Sequence, residues 1–117
     1  MWNGGIPWAL KQYIDTVSQP GLTFGFGPEG YYPLLKDKRA CIVYTAGVYS
    51  PALPKSFGLD FQMAYMTWWL EIIGITEVQN VTLLSNVLRQ SSLEQDRCLA
   101  IEKASAIVKE YFSGPEF

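Results

Sequence analysis

Apolar positions along the chain alternate between helical and strand spacing, and the switches mark its elements. Behind Pro7, a residue suited to the first position of a helix because its missing N–H costs nothing there, Leu10, Ile14 and Val17 recur at helical spacing. Lys11 and Asp15 lie one turn apart, placed for an exposed ion pair. Pro20-Gly21 stops this helix. Thr23-Phe24-Gly25-Phe26, the turn residues Gly27-Pro28-Glu29-Gly30, and Tyr31-Tyr32-Pro33-Leu34 then predict an aromatic hairpin or a compact loop excursion. Ala40-Cys41-Ile42-Val43-Tyr44 is a continuous apolar run behind the polar stretch Lys36-Asp37-Lys38-Arg39. That is the pattern of a parallel strand covered on both faces. A Gly- and Pro-rich loop is expected over residues 45–54.

The next helix is expected over residues 60–73. Phe61, Tyr65, Trp68, Trp69, Ile72 and Ile73 form its broad stripe, and Met63, Met66 and Leu70 carry apolarity around the rest. A helix apolar on so many sides is buried against more than one element, and its stripe reads as core and dimer contact. Gly74 is placed to cap its end. Residues 77–84 read as a second strand. Ser91-x-x-Glu94 and Ser92-x-x-Gln95 both fit a capping box, opening a last helix with Cys98, Ile101, Ala104, Val108 and Phe112 on one face. Asp60 and Glu71 read as capping or solvated carboxylates. Residues 113–117 read as a disordered tail or a cloning remnant.

Strands alternating with helices call for a parallel sheet with right-handed crossovers, an α/β fold in a single partial domain. Two sheet strands are too narrow a platform for three helices, so a further part of the sheet is expected from outside this stretch or from a partner.

Composition narrows the chemistry. At 49% apolar and 17% charged residues the chain supports a packed core instead of disorder. A net charge of −2 and a pI near 5.0 offer no attraction to nucleic acid or to an anionic membrane. The run Trp68-Trp69-Leu70 is broken by Glu71 and ends by Gly74, far short of a membrane span. No basic-then-apolar leader opens the chain, so a cytoplasmic location is expected. Cys41 and Cys98 lack CxxC spacing and read as buried, reduced packing residues. The absence of histidine excludes Ser-His and Cys-His triads and every His-ligated metal site. Chemistry is left to a cofactor, a carboxylate, a Lys or a Tyr.

The order of local motifs carries a resemblance. Met1-Trp2-Asn3-Gly4-Gly5-Ile6-Pro7, followed by Leu10-Lys11 and Tyr13-Ile14-Asp15, resembles the loop and helix after the third strand of FMN-dependent NADH-azoreductases and NAD(P)H quinone reductases. Gly21-Leu22-Thr23-Phe24 with Gly27-Pro28-Glu29-Gly30 is similar to that family's hairpin segment, and Lys38-Arg39-Ala40-Cys41-Ile42-Val43 to its fourth strand. The Gly74-Ile75-Thr76 turn completes the match, which covers nearly the whole chain in order.

The resemblance implies an N-terminally truncated, flavodoxin-like three-layer αβα fold: two sheet strands, three main helices and an aromatic hairpin. In the family the Met of the first loop is internal, and the first βαβαβ unit, with the turn that cradles the FMN phosphate, precedes it. No Gly-rich P-loop or GxGxxG occurs in this chain. The flavin-ring side is what the resemblance places here. By position, the ring contacts fall to Met1, Trp2, Asn3 and Gly4, and to the loop carrying Thr45, Ala46, Gly47 and Tyr49. The family's second loop usually has two successive glycines, and Val48 stands in place of the second. Phe26 matches the family's hairpin aromatic, which overhangs the substrate pocket at a dimer interface, with Phe24, Tyr31 and Tyr32 adding to the lid.

The implied activity is a ping-pong hydride transfer from NAD(P)H through flavin N5 to a quinone or azo compound, by a homodimer. The flavin carries that chemistry, so no catalytic side chain and no metal are expected. Read without the resemblance, Trp2 beside Pro7 and Trp8 is core packing, Asn3 is a helix cap, and the aromatic hairpin is as readily an interface as a lid. A second class of function is a non-catalytic α/β module that acts by self-association or partner binding, driven by an exposed sheet edge. With no phosphate-binding turn, the chain alone is expected to bind FMN weakly or not at all.

Overall fold

In the computed structural model, which describes residues 4–49, 51, 53–84 and 93–111, Pro7 turns the chain into helix α1 (Trp8–Val17). Pro7 is the cap and not the first helical residue. Its ring fixes φ at −60° but leaves ψ extended at 147°, and its carbonyl accepts the first helical bond from Lys11 N at 3.0 Å. Ile14, 2% exposed, is the one buried position of this helix. Burying such a side chain contributes about 2 kcal/mol. The end is set before Pro20: Ser18 returns both its backbone N–H and its Oγ to the Ile14 carbonyl, and Thr23 Oγ1 donates to the Val17 carbonyl at 3.1 Å.

The hairpin forms as expected. Strands β1 (Phe24–Gly27) and β2 (Gly30–Pro33) pair antiparallel, with Phe26 opposite Tyr31 and Gly25 opposite Tyr32. Strand β3 (Arg39–Ala46) and strand β4 (Glu77–Leu84) form a separate two-stranded sheet. Between them run a 3-10 turn (Lys55–Phe57) and helix α2 (Gln62–Ile73), the crossover that parallel neighbours require. Helix α3 (Leu93–Tyr111) closes the order.

By its contacts the chain divides into two compact units. The first comprises Met1–Ala40 and Leu59–Val78, and its core is Ile14, Met66, Trp69, Leu70 and Ile73. Here Asp60 caps α2, its Oδ1 accepting from Met63 N at 2.8 Å. Gly74 ends α2 in the left-handed region at φ 100°, and Leu35 N donates to the Ile73 carbonyl at 3.1 Å. That docking brings the Leu35 carbonyl oxygen to 2.4 Å from where a Gly74 Cβ would stand, so only glycine fits. Arg39 pairs with Glu77 at 2.9 Å. The second unit comprises Cys41–Gly58 and Gln79–Phe117, with Tyr44, Ala46, Val81 and Ile107 buried.

Several expectations need correction. Strand β3 is not covered on both faces: Tyr44 and Ala46 are buried, while Cys41, Val43 and Thr45 are exposed, as alternation dictates when one face alone meets a core. Thr45 and Ala46 belong to this strand and not to the following loop. Helix α2 is less uniformly buried than its composition suggests. Gln62, Met66, Trp69, Leu70 and Ile73 are buried, whereas Phe61 and Trp68 are exposed. The inner face of α3 is Asp96, Ala100, Ala104, Ile107 and Tyr111, and Cys98, Ile101 and Val108 lie outward. The Tyr111 hydroxyl, accepting from Gln79 Nε2 at 2.9 Å, orients that face toward β4. Both cysteines are free as expected but exposed, because Cys41 falls on the open face of β3 and Cys98 on the outer face of α3. The capping boxes at Ser91 and Ser92, Phe112, and the tail 113–117 lie outside the described residues.

Candidate functional site

The first expected ring-binding loop is described only from Gly4 onward; Met1, Trp2 and Asn3 lie outside the described residues. Gly4 adopts φ 84°, and a Cβ there would approach Phe61 Cδ2 at 3.9 Å. The second loop opens at the carboxyl end of β3, the end at which parallel sheets bind ligands. Its members are not equivalent. Ala46 turns its side chain inward, and Thr45, one residue earlier, is exposed. Gly47 is exposed with nothing within 4 Å of its would-be Cβ, so a flat group can reach its backbone. Tyr49 is half-buried, its Cβ 3.9 Å from where a Gly58 Cβ would stand. A backbone left bare by glycine suits a planar heterocycle that needs N–H groups at its edge. The residues at this strand end therefore fit the edge of a flavin ring.

Strand alternation sorts the four expected lid aromatics. Phe24, Phe26 and Tyr31 share one face of the hairpin. Phe24 and Tyr31 meet edge to face with centroids 5.6 Å apart, and Phe26 and Tyr31 at 5.1 Å. Tyr32 lies on the other face, across Gly25: a Cβ on Gly25 would stand 2.1 Å from Tyr32 Cζ. Phe26 is 70% exposed at the hairpin's rim. The hairpin thus groups Phe24, Phe26 and Tyr31 and sets Tyr32 apart.

Two of these rings, Phe24 and Tyr31, also line a cleft of 340 Å³ in the first unit, whose other walls come from α1 and α2. Lys11 and Asp15 enter from α1, Ser18 from the residue that caps its end, and Tyr65, Trp68 and Trp69 from α2. Trp69 Nε1 donates to Ser18 Oγ at 2.9 Å, which fixes the indole against α1. The hydrogen bond to Asp15 and the charge of Tyr65 hold the Lys11 ammonium above the ordinary lysine range. Sequence reasoning missed this cleft, although spacings of four and three on α1 and its cap (Lys11, Asp15, Ser18) and three and four on α2 (Tyr65, Trp68, Trp69, Ile72) put each set on one helix face.

Among the described residues no group of Cys, Asp and Glu is placed to hold a metal ion, and no helix is long and apolar enough to cross a membrane.

A family model described as having a flavodoxin-like fold matches residues 1–108. The FMN-dependent NADH:quinone oxidoreductase of Ruegeria pomeroyi is 47% identical over 102 residues, 86% of this chain and 50% of that protein. The FMN-dependent NADH:quinone oxidoreductase of Nitratidesulfovibrio vulgaris is 35% identical over 111 residues, covering 87% and 53%. The crystal structure of azoreductase from Bacillus anthracis matches with a TM-score of 0.84 at 24% identity, over 94% of this chain and 52% of that one, a likeness of fold. The chain spans about half the length of the curated relatives it matches. With the family model matched over nearly its whole length and strand, crossover helix and strand in the order that fold requires, the chain belongs to the flavodoxin-like fold family.

Proposed function

We propose that this chain supplies the flavin-ring side of an FMN-dependent NAD(P)H oxidoreductase that reduces quinones or azo compounds. The observation that carries the reading is the 47% identity over 102 residues to the quinone oxidoreductase of Ruegeria pomeroyi. FMN, when bound, supplies the hydride transfer between NAD(P)H and the aromatic acceptor. The residues here position it. In the second unit, Gly47 offers bare backbone at the end of β3, flanked by Thr45, Ala46 and Tyr49. In the first unit, Gly4, with Met1, Trp2 and Asn3 before it in the sequence, is the other candidate ring contact. Phe24, Phe26 and Tyr31 form the apolar side of the acceptor pocket, and Tyr32 stiffens the hairpin beneath them. The protein works in the cytoplasm as a homodimer, with exposed Phe61, just ahead of α2, and Trp68 of α2 available as contacts between copies.

A second reading is favoured by one observation: Val43, in the middle of β3, is 63% exposed beside exposed Cys41 and Thr45. On that reading the chain is a non-catalytic α/β module that associates through the open face of its sheet.

Titration with FMN and with lumiflavin, the ring without its phosphate, separates the two. The ring-side reading expects weak, saturable quenching of both flavins with comparable affinity, because the contacts assigned to this chain are to the ring. Much tighter binding of FMN places a phosphate site in this chain and overturns the ring-side assignment. Binding of neither leaves the module reading.

A further inference from the structure

Gln62, 6% exposed in the first turn of α2, is the one polar or charged side chain buried among the described residues. Its amide carries two donor hydrogens and an acceptor oxygen, and such groups are paired when they are buried. The turn on which it stands makes its own hydrogen bonds without it. Met63 N donates to Asp60 Oδ1 at 2.8 Å, and Tyr65 N to the Phe61 carbonyl at 3.2 Å. No other described residue is hydrogen-bonded to the Gln62 amide. An apolar side chain of the same length would fill this place with nothing to desolvate, so the amide answers to something other than packing.

Its neighbour in the chain supplies the direction. Phe61 brings this turn to the first ring-binding loop, its Cδ2 3.9 Å from where a Gly4 Cβ would stand, within the first unit. On the ring-side reading that loop serves the flavin, and the pyrimidine edge of a flavin is an imide, one N–H donor between two carbonyl acceptors. A primary amide presents a donor and an acceptor side by side, and it pairs with an imide through two parallel hydrogen bonds. A carboxylate only accepts and an ammonium only donates, and either would carry a charge into a buried place. We propose, on the strength of that reading, that Gln62 is a further ring-binding residue whose amide recognises the imide edge of the flavin.

The test sets two ligands against the same chain: lumiflavin, and N3-methyllumiflavin, in which a methyl replaces the imide hydrogen. Titrations read by flavin fluorescence should show the methylated ring binding about tenfold more weakly, because one hydrogen bond is lost and the buried amide oxygen is left unpaired. In the isotope-labelled chain the side-chain N–H signals of Gln62 should shift as lumiflavin saturates. Gln62→Met, which keeps the length and removes the pairing, should bind the two rings alike. Equal affinity of the unmutated chain for both rings overturns the proposal and leaves the ring-side reading standing. A Gln62→Met chain that keeps the preference for lumiflavin overturns it too, whatever its Tm, because the amide is then a packing group. Should that variant fail to fold, the two ligands on the unmutated chain still decide. Binding of neither ring overturns the proposal together with the ring-side reading.

Discussion

Two glycines with opposite surroundings predict opposite mutants. At Gly74 the backbone is left-handed, and the atom that an added Cβ would strike is a main-chain carbonyl oxygen, which cannot rotate away. Gly74→Ala should cost about 2 kcal/mol or more, seen as a fall in Tm on the order of 10 °C. At Gly47 an added Cβ meets nothing within 4 Å, so Gly47→Ala should leave Tm unchanged. The same change fills the bare backbone at the end of β3 and should weaken flavin binding about tenfold. A melt and a flavin titration of the two variants measure both claims. Lys11 adds a pH dependence. Its pKa in the folded chain is raised, chiefly by the hydrogen bond to Asp15, so the pair's contribution is fully present below the ordinary lysine pKa. It is lost as pH rises through the elevated value. Thermal melts at alkaline pH should show a small decline that Lys11→Met abolishes, small because both groups are solvated.

Among the elements, those with a punctuated beginning or end were the most legible. Helix α2 was expected over 60–73 and runs Gln62–Ile73, with Asp60 outside it as the cap. Asp60→Ala should cost about 1 kcal/mol of stability, read as a lower urea midpoint. The strand at 77–84 and the hairpin were readable because turn residues bracket apolar runs. The face of α3 was not. Its 98-101-104-108-112 stripe and its true inner stripe, 96-100-104-107-111, both keep helical spacing and share Ala104. What separates them is tertiary: burial of Ile107 and the Gln79–Tyr111 hydrogen bond, neither of which leaves a local pattern. Tyr111→Phe should therefore lose about 1 kcal/mol, while Ile101→Glu, on the outward side, should leave the unfolding midpoint unchanged. The β3 error has a similar origin. A continuous apolar run implies cover on both sides only when cover exists, and here alternate residues of β3 face outward.

At the scale of the whole molecule, the fold class was legible because the order of strands and crossover helix is a property of the chain itself. The candidate ring contacts rest on likeness to a family, since no single residue announces a flavin-ring contact. The lining of the cleft stayed hidden because it draws on three elements that are distant in sequence and polar at only a few positions. Val43 separates the two functional readings. If the open face of β3 drives association, Val43→Lys should shift the mass in solution toward the monomer; if copies meet through α2, the mass should be unaffected, as sedimentation would show.

The same alternation that turns Val43 outward turns the Cys41 thiol outward two residues before it. The sheet face therefore carries its own chemical reporter. A maleimide will label Cys41 as fast as the outward thiol of Cys98 while that face is bare, and slowly once any polypeptide lies over it. The ratio of the two labelling rates, read by mass spectrometry after digestion, turns the docking of a partner into a clock that needs no mutation at all.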